Sequence, residues 1–120
     1  MHTLRGFVYL VGLALIVLVP QGLWADPPQT LTPQELDALL EKAETAEDHL
    51  KLAAHYSGDA ERFARDAERH EALATRYRKL AAYRGMAKHC DYLARSLRDA
   101  AKASQQLAQS HKEMAEKLQR

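Results

Sequence analysis

Residues 46–81 read AEDHLKLAAHYSGDAERFARDAERHEALATRYRKLA. Alanine returns at every seventh position, Ala46, Ala53, Ala60, Ala67, Ala74 and Ala81, and His49, Tyr56, Phe63, His70 or Tyr77 follows three residues after each of the first five. A seven-residue repeat holds its residues on one face of a helix, and a lane of methyl groups lets a second helix come close. A second lane, Ala87, Ala94, Ala101, Ala108 and Ala115, is followed at the same offset by Cys90, Leu97, Ser104, His111 and Leu118. Two long helices with small-residue seams are therefore expected. The fold class is all-α: a long antiparallel hairpin of two helices, or three if the first one bends.

Working toward the N-terminus, Thr32 suits a helix N-cap, Pro33 the first helical position and Glu35 the return partner of a capping box. No proline follows Pro33. Two later glycines are candidate breaks. The alanine lane runs through Gly58 in phase, so a continuous helix is expected there. At Gly85 the lane slips, because the heptad after Ala81 falls on Lys88 while the new lane starts at Ala87. A left-handed glycine at a helix end accounts for such a slip. The expected layout is a helix over about 33–83, a tight turn at 84–86 and a helix over about 87–118. Folding there pairs residues whose numbers add to about 168–170, bringing Tyr77 near Cys90, His70 near Leu97 and Tyr56 near His111. The first helix overhangs this hairpin with Leu36, Leu39, Leu40 and Ala43. Two helices are also too thin to bury much surface. Either a bend near Thr45–Asp48 or pairing of two hairpins into a four-helix bundle answers both problems, and a homodimer is expected.

The first 25 residues differ from the rest. One basic residue, Arg5, precedes an apolar run from Phe7 to Val19, interrupted only by Gly12, and Leu23-Trp24-Ala25 offers a cleavage site. This is a signal-peptide pattern. The run is 13 residues, shorter than the roughly 20 of a membrane-spanning helix. Export follows, most simply to a bacterial periplasm, with 26–32 as a Pro-rich tether and membrane attachment only if the segment is retained. No cysteine lies near the cut, which excludes a lipid anchor there.

The exported part has 16 basic and 16 acidic side chains. That neutrality argues against nucleic acid as a partner. The charges are segregated: residues 26–59 carry eight acids and two bases, residues 60–120 eight acids and fourteen bases. Spaced pairs such as Glu61 with Arg65 and Glu113 with Lys117 read as solvated helix faces, and the sharper alternative is an acidic arm laid against a basic hairpin of another copy.

Chemistry is the less legible part. Met86, His89 and Cys90 gather a thioether, an imidazole and a thiol within little more than one turn, and His111 with Met114 forms a second pair that the hairpin brings near His55. Soft sulfur with imidazole suits copper, and less well zinc, so these six residues are the candidate metal ligands. The structural reading of each is a flat or flexible filler opposite alanine. Cys90, the single cysteine, reads as a buried thiol, a thiolate ligand or half of an intermolecular bridge. Protonation of His49 and His70 inside a seam would charge an apolar interface and make the bundle pH-responsive. An enzyme is not expected, since nothing resembles a phosphate cradle, a nucleophile elbow or a paired-carboxylate cleft, and no asparagine is present to orient a base. The sequence leaves two readings of different class: an exported copper or zinc binder, and a structural or adaptor protein acting through helix–helix contacts without metal.

The phrases His-x-x-Leu/Met-Ala and His89-Cys90, behind a signal peptide and a Pro-rich tether, resemble those of short secreted helical-hairpin proteins of bacteria. The likeness covers about residues 46–118. It implies export and a histidine-bearing hairpin, and it brings no established activity.

Overall fold

The computed structural model describes residues 30–120; the expected signal peptide and residues 26–29 of the tether lie outside them. The described chain is all-α, without strands. Helix α1 spans Pro33–Lys42, α2 Ala46–Arg78 and α3 Arg84–Leu118, with a 3₁₀ turn at Ala81–Tyr83. No described helix is long and apolar enough to cross a membrane.

Helix α1 starts where the sequence places it. Thr32 Oγ1 accepts from the Glu35 backbone N–H, the Glu35 carboxylate accepts from the Thr32 backbone N–H at 2.8 Å, and Pro33 opens the helix. The expected helix over 33–83 is divided in two by a break just before Ala46, which agrees with the alternative of a bend near Thr45–Asp48 and three helices. A second capping box starts α2: Asp48 N–H donates to Thr45 Oγ1 at 3.1 Å, and Thr45 N–H donates to Asp48 Oδ2 at 3.1 Å. The chain at Ala43 is extended (φ −68°, ψ 100°), which ends α1. Helix α1 then lies loosely on α2 and buries no residue, leaving between them a shallow cleft of ≈ 480 Å³ lined in part by Leu31, Leu39, Asp48 and Lys51.

The hairpin turn also lies earlier than 84–86. Helix α2 closes at Arg78, where Lys79 N–H donates to the Arg76 carbonyl and Leu80 N–H to the Tyr77 carbonyl. Leu80 is extended (φ −107°, ψ 106°), and Tyr83 N–H donates to Leu80 O at 2.9 Å to close the 3₁₀ turn. No described residue has positive φ, and Gly85 lies inside the first turn of α3. The slip in the alanine lane therefore marks the change of helix, and the glycine beside it is not the device that makes the turn. Gly58, in contrast, lies within a continuous α2 as the unbroken lane requires.

Helices α2 and α3 run antiparallel and carry nearly all of the tertiary contact between the described elements. Ala53, Ala60, Ala67 and Ala74 are at most 2 % exposed, and Ala87, Ala94, Ala101, Ala108 and Ala115 are also buried. Leu52 is the large side chain that is fully buried among the described residues. One side of the hairpin is tied by cross-helix ion pairs: Arg98 grips Glu71 through both guanidinium nitrogens at 2.6 and 2.8 Å, and Arg78 Nη1 meets Asp91 Oδ2 at 2.7 Å. These side chains are partly exposed, and pairs of that kind contribute under about 1 kcal/mol each, so they set the register more than they hold the fold.

A Cβ built on Gly85 meets nothing within 4 Å. Gly85→Ala should therefore stabilise the protein by about 0.5 kcal/mol, through reduced backbone freedom in the unfolded chain, raising the thermal midpoint by roughly 2–4 °C. A lowered midpoint would instead indicate a left-handed glycine at the tip.

Candidate functional site

The sequence candidates differ in exposure. Met86 is 46 % exposed and Met114 43 %, whereas Cys90 is 6 % exposed and a free thiol; His89 is exposed. At 100° per residue, positions 86, 89 and 90 spread over about a quarter turn, and Cys90 takes the side that packs on α2. Among the described residues, no group of three or more His, Cys, Asp or Glu side chains is placed to hold a metal ion.

His55 is occupied structurally. It is buried on α2, its Nδ1 accepts from the Leu31 backbone N–H at 3.1 Å, and its Nε2 lies 3.6 Å from Asp59 Oδ2. An Nδ1 that accepts carries no proton, so the hydrogen sits on Nε2, toward the carboxylate. Asp59 also faces Arg62 Nη2 at 3.0 Å, as an ion pair not aligned as a hydrogen bond. The imidazole thus pins the segment entering α1 onto the first third of α2. Sequence spacing gave no sign of this, because Leu31 reaches His55 through its backbone.

His111 makes the densest side-chain cluster. Its Nδ1 lies 3.0 Å from His49 Nδ1, the two rings meeting edge to edge with centroids 5.3 Å apart, and Tyr56 lies nearly parallel to it at 5.7 Å and 8°. His111 on α3 therefore enters the gap between His49 and Tyr56, two turns apart on α2. The expected approach of Tyr56 and His111 is present; the His49 contact was missed because His49 read as a neighbour of His70 along its own helix. Two Nδ1 atoms at 3.0 Å share one proton between them, one ring donating and the other accepting. Burial, and then the His49 ring, push the His111 pKa below its ordinary 6.5. His70, three heptads from His49, has a buried Nδ1 with no hydrogen-bond partner among the described residues.

No family model, curated protein or solved structure matches this chain.

The shift at His111 has a definite sign. A pKa lowered on folding means that the unfolded chain takes up a proton first as the pH falls, so the contribution is complete above 6.5 and is lost as the pH drops through the folded-state value. The thermal midpoint should fall between pH 7 and pH 5, and His111→Phe, which keeps a flat ring and removes the titration, should flatten that dependence. Identical pH profiles for the two proteins would assign the effect to another group.

Proposed function

We propose that this chain is an exported, non-enzymatic helical module that works through helix–helix contact with another polypeptide and needs no metal. The observation that carries the reading is where the large apolar side chains go. The interior of the hairpin is mostly alanine, and Leu40, Leu50, Leu80, Met86, Leu93, Leu107, Met114 and Leu118 are all between 43 and 53 % exposed. Alanine lanes of this kind act as close-approach seams: they bring α2 and α3 together and leave the larger residues at the edge of the contact, where a partner helix buries them. Fully burying a leucine or methionine contributes about 1.5–3 kcal/mol, so the exposed set is a reserve of binding free energy that the isolated hairpin leaves unused.

Among the described residues no three or more His, Cys, Asp or Glu side chains are placed to hold a metal ion, which supports this reading over a copper or zinc carrier built on Met86, His89, Cys90, His55, His111 and Met114. The signal-peptide pattern places the work outside the cytoplasm, with the histidines as seam residues.

A photo-crosslinking residue at Leu93 in the exporting host should give discrete protein adducts, and the same residue at the exposed Lys102 should give none. Absence of adducts at both positions would count against a contact module. In parallel, native mass spectrometry after exposure to Cu(I), Cu(II) and Zn(II) should show no stoichiometric metal. Metal retained by the wild type and lost in His89→Ala/Cys90→Ser would restore the metal reading.

A further inference from the structure

Helix α3 carries a second row beside the one that packs on α2. Met86, Leu93, Ala100, Leu107 and Met114 recur every seven residues, and the four large members are 43–46 % exposed. The row reads the same in either direction about Ala100. Three residues after each member come His89, Ser96, Ala103, Ser110 and Lys117, all exposed. Alternating spacings of three and four residues are those of a coiled-coil seam, here with large residues in one row and mostly small ones in the other.

This stripe lies on the open side of the hairpin. The ion pairs of Arg98 with Glu71 and Arg78 with Asp91 close the opposite side, because Asp91 and Arg98 flank the α2-facing rows on one edge and Met86 and Leu93 flank them on the other. From Met86 to Met114 the stripe runs about 42 Å and contains no Asp, Glu, Lys or Arg in either row until Lys117.

We propose that a second copy of this chain covers the stripe, antiparallel, with the two-fold axis passing between Ala100 and Ala103. The proposal rests on the contact-module reading and names its partner. The argument is self-complementarity, which a two-fold interface requires and a dissimilar partner does not. In the antiparallel register Leu93 meets Ser110 of the second copy, Leu107 meets Ser96, Ala100 meets Ala103, Met114 meets His89, and Met86 meets the aliphatic stem of Lys117. Both leucines thus face serine, the central layer is alanine on alanine, and each methionine meets a histidine or a lysine stem, whereas a parallel pair stacks leucine on leucine and serine on serine. Along the flank, Asp99 faces Gln106 of the second copy and Glu113 faces Tyr92, so no acid meets an acid. Area points to a hairpin on a hairpin: a strip 42 Å long and about 10 Å wide covers roughly 400 Å² per copy, half of what a standard interface needs. On α2 the row that flanks the seam on this side is Leu52, Asp59, Asp66 and Leu73, and Leu52 is already buried there. The pairing separates the two Cys90 residues by about 35 Å along the bundle.

The test uses protein purified from expression of the full chain. Light scattering at micromolar concentration should give a dimer, and Leu93→Lys/Leu107→Lys should weaken it roughly 100-fold or more with helicity retained, since both positions are exposed in the hairpin. In a Cys90→Ser background, a short bis-maleimide should link Ala100→Cys into covalent dimers and leave Lys102→Cys monomeric. A wild-type monomer, a Leu93→Lys/Leu107→Lys dimer of unchanged affinity, or equal crosslinking at positions 100 and 102 overturns the proposal. A Cys90–Cys90 disulfide formed within the dimer overturns the antiparallel arrangement. Any of these results combined with Leu93 adducts to a different protein removes the self-pairing and leaves the contact-module reading intact.

Discussion

The fold depends on how closely two backbones approach when the side chains between them are methyl groups. Alanine loses no side-chain entropy on burial, so a lane of buried alanines joins α2 to α3 at little entropic cost, but each methyl group also returns little apolar burial. The bulk that the inside cannot hold, Leu93, Leu107, Met86 and Met114, is displaced to the edge of the contact. Exposure of large residues is thus a geometric result of the seam, and the proposed function follows from that displacement.

Histidine enters the same frame as a filler of particular shape. His111 fits between His49 and Tyr56 because an imidazole is flat, with its Nδ1 meeting His49 Nδ1 and its ring lying nearly parallel to Tyr56. The contact joins the start of α2 to the last third of α3, at the end of the hairpin opposite the turn. His55 plays a comparable part for the chain entering α1. Two of the six residues that looked like ligands in the sequence are therefore engaged by other protein groups, and Cys90 is buried apart from Met86 and His89.

Much of the fold was legible because periodicity reports which residues share a face. The Thr32 box was legible as well, since Thr32, Pro33 and Glu35 each have one good explanation. The Thr45 box was harder to see: its partner is Asp48 where glutamate is usual, and helix-favouring residues flank it on both sides, so composition alone suggested continuity. The turn was displaced because the glycine was given a task that ordinary residues perform, with Leu80 extended and Ala81–Tyr83 in a 3₁₀ turn. The site was less legible for a related reason. Met86, His89 and Cys90 differ in burial in a way their spacing does not announce, and the contact between His49 and His111 joins residues 62 positions apart.

The hairpin tip is made without left-handed backbone, and that has a bearing on how freely the chain can change. A tip that needs a left-handed glycine restricts its residues to one type. This one accepts nearly any L-amino acid. The exposed Leu80 and Tyr83 are thus available for replacement or for grafting a foreign loop between α2 and α3, with the alanine lanes left to keep the register.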